Sequence, residues 1–150
     1  MQLKILQEDD PVLRGICDDI KEITPKLNQL AIDMMETMTI HEGIGLSAPQ
    51  VGHKINLIVF DTSFSEDDGK IGIMFNPEIM HGEGSISTIE KCLSFPGRRI
   101  KVKRFKKIRV KYLNTQNEKC IVDLEGLAAI AAQHEIEHLL GILLIDYERQ

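Results

Sequence analysis

No apolar run in this sequence approaches the roughly 18 residues that a membrane-spanning helix requires, so no membrane partner is expected. The first ten residues carry Lys4, Glu8, Asp9 and Asp10 around a short apolar patch, unlike a secretory signal. Cysteine is scarce and odd in number, at three, which argues against a disulfide framework and makes a reducing cytoplasm the expected location. Repeats, low-complexity tracts and linkers are lacking as well. One domain over residues 1–150 is therefore expected, long enough for a single substantial core. With 43% hydrophobic and 27% charged residues, the composition excludes a disordered or fibrous class.

Charge is present but uneven. Arg98, Arg99, Lys101, Lys103, Arg104, Lys106, Lys107, Arg109 and Lys111 are nine of the 18 basic residues. The strip 98–111 could meet RNA or another anionic surface. The plainer reading is a solvated strand face whose charges protect an edge.

Thr24-Pro25 reads as a helix start, with Thr as N-cap and Pro at the first helical position. Leu27, Leu30, Ala31, Met34, Met35 and Met38 then recur at helical spacing, as core packing requires. Gly43 and Gly45 are expected to end that helix and open a loop. Strands are expected at 55–60, at 71–75 with Asn76-Pro77 as a stop, and over an extended stretch at 85–93. Ile108, Val110 and Tyr112 alternate with charges like a half-solvated strand, 114–117 resembles a hairpin turn, and 120–124 the return strand. A second helix is expected from Gly126 to about Leu140. Helix, strands and helix together predict an α+β fold, with a mostly antiparallel sheet packed around the C-terminal helix.

That last helix carries His134-Glu135-Ile136-Glu137-His138. Residues i and i+4 share a helix face, so both imidazoles can address one metal ion. Glu135 sits beside the first of them, within reach of a water at such an ion. The alternative of two surface histidines fits less well. Leu127, Ala131 and Gly141 share their face, and buried imidazoles need a partner. A third ligand is required. The extended zinc-protease pattern would place histidine at 144, where the sequence has Leu144. Asp146 and Glu148 are the only later carboxylates, in what reads as a short terminal strand. Upstream candidates are His41, His53, His81, Cys17, Cys92 and Cys120. Spacing makes Cys92, at the end of an extended stretch and just before an expected turn at Phe95-Pro96-Gly97, only the best of six.

Three ordered motifs resemble the peptide deformylase family: Gly43-Ile44-Gly45-Leu46-Ser47-Ala48-Pro49-Gln50, Glu90-Lys91-Cys92-Leu93-Ser94, and Gln133-His134-Glu135-Ile136-Glu137-His138. Asp10-Pro11-Val12-Leu13-Arg14, Asn76-Pro77-Glu78 and Asp146-Tyr147 add to the likeness, which spans nearly the whole chain. The first motif also fits a nucleotide-binding fingerprint, but it follows a helix and is interrupted by Pro49.

The resemblance implies a hydrolase that removes the N-terminal formyl group from formyl-methionyl peptides. Cys92, His134 and His138 would ligate one ion per chain. That ion would be Fe²⁺ in the cell, with Zn²⁺, Ni²⁺ or Co²⁺ able to substitute. Glu135 would serve as general base and then acid, and Gln50 with the Leu93 backbone N–H would face the oxyanion. Ile44, Gly45, Glu90, Lys91, Arg99 and Ile130 are the expected substrate contacts. Ile44, Leu93 and Ile130 would line an apolar pocket for methionine. Arg104 is assigned with Arg99 to a supporting or substrate-end role.

The sequence departs from the family pattern at Lys91 for glycine, Glu137 for aspartate and Ser47 for alanine. Many members continue into a further helix associated with ribosome docking, and this sequence stops at Gln150. The strip 98–111 is then the remaining candidate for a weak ribosome contact by a monomer. The expected location is the bacterial cytoplasm, or a host cytoplasm for a phage-encoded chain. Two competing readings are a metalloprotease using a third ligand other than Cys92, and a metal-stabilised binding module without turnover.

Overall fold

The computed structural model describes residues 1–66 and 69–149. The helix expected after Thr24 forms as α1, Pro25–Ile40, and the Thr24 hydroxyl accepts from the Leu27 N–H. Seven strands follow: β1 Gly45–Ser47, β2 Leu57–Asp61, β3 Ile71–Glu83, β4 Ile86–Cys92, β5 Phe95–Arg104, β6 Lys107–Leu113 and β7 Lys119–Glu125. Helix α2, Gly126–Leu139, comes after them. Every strand pair is antiparallel. One sheet has the order β1-β2-β3-β6-β7, and β4 pairs with β5 as a separate hairpin. This is the α+β class expected from the sequence.

The core explains why residues 57–60 of β2 are all apolar. Its side chains alternate between two layers, and both are covered. Ile58 and Phe60 pack with Met74, Val110 and the α2 residues Ala128, Ala132 and Ile136. Leu57 and Val59 face the other way, onto Ala31, Met34 and Met38 of α1. The sheet is thus held between the two helices. A third cluster joins Leu13, Leu143 and Leu144 to Phe95, Ile100 and Val102, seating the β4–β5 hairpin beside Cys92.

Four local expectations are corrected. Helix α1 ends at Ile40, and Glu42 rather than a glycine takes the left-handed backbone at φ 57°; Gly45 opens β1. Strand β3 does not stop at Asn76-Pro77. Asn76 adopts φ 52° while its side chain exchanges two 2.8 Å hydrogen bonds with the backbone of Ile20. The strand passes the proline through a register break between Phe75 and Glu78. The hairpin turn lies at Leu93-Ser94, with Cys92 opposite Phe95, so β5 starts where a turn was expected. Finally, Leu144–Arg149 forms a 3-10 helix rather than a strand.

The basic strip is not one face. Arg104 is buried. Arg98 pairs with Glu8 and Glu148, Arg109 with Asp123, and Lys111 with Glu78. Among the described residues of the strip, Arg99, Lys101, Lys103, Lys106 and Lys107 have no ion pair, and the first three line an outer groove of about 480 Å³ with Tyr147 and Glu148.

Candidate metal centre

Alanine and leucine favour helix, and Ala128, Ala129, Ala131 and Ala132 let α2 lie close against the sheet. That contact buries His134 and His138 one turn apart, with ring centroids separated by 5.1 Å. Cys92 arrives from the end of β4. Its Sγ lies 3.4 Å from His138 Nε2, and one ligand atom from each of Cys92, His134 and His138 falls within 4.8 Å of the others.

The other five candidates for the third position are elsewhere. His41, His53 and His81 are exposed, Cys17 is in the core under α2, and Cys120 is on β7. All three cysteines are free thiols.

Glu135 is buried, and a glycine makes room for it. A Cβ on Gly45 would meet Glu135 Oε2 at 2.5 Å. Burial raises the Glu135 carboxyl to about 7, against the opposing pull of His134. Burial would also discharge His134, yet Glu135, Cys92 and Glu90 outweigh it and raise that ring well above the ordinary range. His138 is driven well below its ordinary value by burial, with the positive charges of His134 and Arg104 adding to the effect. The pocket therefore favours one buried positive charge beside a thiol and a carboxylate. Glu135 Oε1 and His138 Nδ1 are also buried without a hydrogen-bond partner. Both features fit a bound cation, and a thiol with two imidazoles is a donor set that suits Zn²⁺ and Fe²⁺.

Gln50 lies in the 3-10 turn Ala48–Val51 that follows β1. Its Oε1 accepts from both the backbone N–H and the hydroxyl of Ser47, at 3.0 and 2.9 Å. The oxygen is thereby fixed, and Nε2 points into the site, donating to Ser94 Oγ at 3.1 Å and Cys92 Sγ at 3.4 Å. The second of these donors, the hydroxyl, is present because Ser47 stands where the first motif of the family has alanine. Leu93 follows Cys92 directly, and its side chain fills space left by Gly43, where a Cβ would come within 2.8 Å.

The expected substrate contacts divide. Ile44 and Ile130 are half-buried, with Ile44 packed against the α2 cluster. Lys91 and Arg99 are exposed, and Lys91 does not have positive φ, so replacing glycine there causes no left-handed strain. Glu90 is a correction. It is turned inward, with His134 Nδ1 2.9 Å from Oε1, Arg104 Nη2 also on Oε1, and Arg104 Nε and the Thr88 hydroxyl on Oε2. No oxygen is left to meet a peptide. Burial alone would raise Glu90, but Arg104 and His134 outweigh it and hold it at about 2. Arg104 likewise belongs behind the site rather than at the substrate end.

The sequence reading missed Thr88 and Ser94 as parts of this site. Ser94 lies in the second motif, so its position was available, although its contact with Gln50 was not.

The family model described as polypeptide deformylase matches residues 2–150. The chain belongs to the polypeptide deformylase family. It is 43% identical over 143 residues to the peptide deformylase of Carboxydothermus hydrogenoformans, covering 95% of this chain and 91% of that protein. It is 46% identical over 144 residues to that of Halothermothrix orenii, covering 96% and 92%. The crystal structure of the Thermotoga maritima peptide deformylase superposes with a TM-score of 0.91 at 36% identity, covering 98% of this chain and 97% of that one. A probable peptide deformylase from synechococcus phage S-SSM7 gives 0.90 at 37% identity, with 97% and 99% covered. As a deformylase, the chain is a metal-dependent hydrolase that removes the N-formyl group from nascent peptides. Among the described residues, no helix is long and apolar enough to cross a membrane.

Proposed function

We propose that Cys92, His134 and His138 hold one divalent cation and that Glu135 carries the protons of formyl hydrolysis. The observation that supports this most directly is the convergence of three ligand atoms within 4.8 Å beside a buried carboxylate. When bound, the ion supplies Lewis acidity and makes water more acidic. Glu135 accepts a proton from the attacking water as its oxygen joins the formyl carbon. As the carbon–nitrogen bond breaks, Glu135 delivers that proton to the departing amine, and formate is released. Gln50 Nε2 and the Leu93 backbone N–H donate to the oxygen on which charge builds. One such donor is worth about 10²- to 10³-fold in rate. Ile44, Leu93 and Ile130 form the apolar wall for methionine, Gly45 admits the peptide close to Glu135, and Lys91 and Arg99 stand at the substrate rim.

Fe²⁺ is the proposed native ion, with Zn²⁺, Ni²⁺ or Co²⁺ as substitutes. The sulfur ligand makes such a centre prone to oxidation. The working form is proposed to be a cytoplasmic monomer with residues 1–150 as one catalytic domain. Arg99, Lys101 and Lys103 would supply any weak ribosome contact.

The test is anaerobic hydrolysis of a formyl-Met peptide by iron-loaded protein, with Glu135→Gln as control. Formate release falling about 10²- to 10⁴-fold in the variant supports the assignment. Equal rates in the two proteins remove Glu135 from the chemistry.

A further inference from the structure

Behind His134 lies a chain of polar groups, buried at Glu90 and Arg104 and half-buried at Glu137 and Tyr147, that formyl hydrolysis does not use directly. His134 Nδ1 is 2.9 Å from Glu90 Oε1, which leaves Nε2 as the ring's free ligand atom. Arg104 grips the same carboxylate with two prongs, Nη2 at 2.7 Å and Nε at 2.9 Å. Its third nitrogen, Nη1, donates to Glu137 Oε1. Glu137 Oε2 accepts from the Tyr147 hydroxyl, and the Arg104 guanidinium also lies over the Tyr147 ring, 5.4 Å from its centre. The chain joins β4, β5, α2 and the C-terminal 3-10 helix.

We infer that Tyr147 and Glu137 are positioning residues that, through Arg104 and Glu90, fix the His134 ring for cation binding. The reasoning begins with Glu90. A lone carboxylate behind an imidazole can turn about its own bonds. Arg104 prevents this by engaging both oxygens, since a planar guanidinium matches a carboxylate in only one orientation. Arg104 itself needs an anchor for Nη1, and Glu137 provides it. Glu137 in turn spends its second oxygen on Tyr147, so neither oxygen is free to draw Arg104 elsewhere. Two carboxylates and one guanidinium also leave one negative charge in the chain, which favours a cation on the far side of His134. Glu137, one methylene longer than the aspartate of the family pattern, reaches both partners.

This inference rests on His134 being a cation ligand. It is tested by titrating metal-free protein anaerobically with Co²⁺, following the visible spectrum of the thiolate-bound ion and the thermal midpoint of the metal-free form. Tyr147→Phe keeps the ring over Arg104 and removes only the hydroxyl; Glu137→Gln keeps the size and removes the charge. Partners of this kind contribute about 10- to 100-fold to metal affinity. The expected result is Co²⁺ binding weakened by that factor in both variants and a shifted spectrum, with a smaller loss in Glu137→Asp, which keeps the charge, than in Glu137→Gln. Wild-type affinity and spectrum in both variants would overturn the inference. So would a lowered thermal midpoint with Co²⁺ affinity unchanged, which marks a purely structural role. Undiminished Co²⁺ binding by His134→Ala would instead overturn the ligand reading beneath it, a result the two distal variants cannot mimic.

Discussion

Gly45 and Glu135 meet where β1 passes over α2, so closely that a single added carbon on Gly45 would sit 2.5 Å from the carboxylate. Gly45 does not have positive φ. The backbone there would tolerate alanine, and only the neighbouring carboxylate would object. Gly45→Ala should therefore fold normally and displace Glu135. Losing a placed acid–base group costs about 10²- to 10⁴-fold in rate. Deformylation kinetics alongside a thermal melt check this: an unchanged midpoint with that loss is the expected pair of results.

Gln50 has its oxygen held by two donors of Ser47, at 3.0 and 2.9 Å. Gln50→Ala removes the proposed oxyanion donor and should lower kcat about 10²- to 10³-fold with little change in KM. Ser47→Ala leaves the backbone donor in place and should cost much less. Steady-state kinetics of the two variants measures the order; equal losses would mean that the amide acts other than as an oriented donor.

Cys92 is the one ligand candidate that does not come from α2. Cys92→Ala should leave a two-histidine site that fails to retain the ion through anaerobic dialysis. Elemental analysis should then give well under one ion per chain, against about one for the wild type. Full retention would return the third position to another residue.

Cys17 offers a pH prediction away from the site. Burial, aided by Asp18 and opposed by Lys54, pushes its thiol up to about 11 from an ordinary value of 9.0. Between those values the unfolded chain releases a proton that the folded chain keeps, so this group's effect on stability becomes unfavourable as pH rises. Below about pH 9 the effect is absent. Thermal midpoints of wild type and Cys17→Ala should therefore keep a constant difference up to that pH and then shift in favour of the variant.

Phe75 is fully buried on β3 against α1. Phe75→Ala should cost about 3–5 kcal/mol in chemical denaturation. The exposed Ile121→Thr on β7 should stay within about 0.5 kcal/mol of wild type.

The elements were legible where local pattern and tertiary demand agree. Thr24-Pro25 starts α1 because the cap is made by neighbours in sequence. The same holds for the alternation of Ile108, Val110 and Tyr112 in β6. Asn76-Pro77 misled because a proline usually stops a strand. Here Asn76 is held by the backbone of Ile20, a partner no local window contains. Glu90 misled for a related reason. Its place in a motif gave no sign that Arg104, from the opposite strand of the hairpin, would occupy it.

Sequence alone determined the helix that carries His134, Glu135 and His138, because one helical turn aligns residues four apart without help from the rest of the chain. Only the tertiary structure decided which of six side chains lies beside the two rings. Cys92 reaches the two rings because the β4–β5 hairpin is seated on Leu13, Leu143 and Leu144, and that seating is a long-range packing result. The same packing turned Glu90 and Arg104 inward, since groups buried beside His134 need hydrogen-bonded partners of opposite charge.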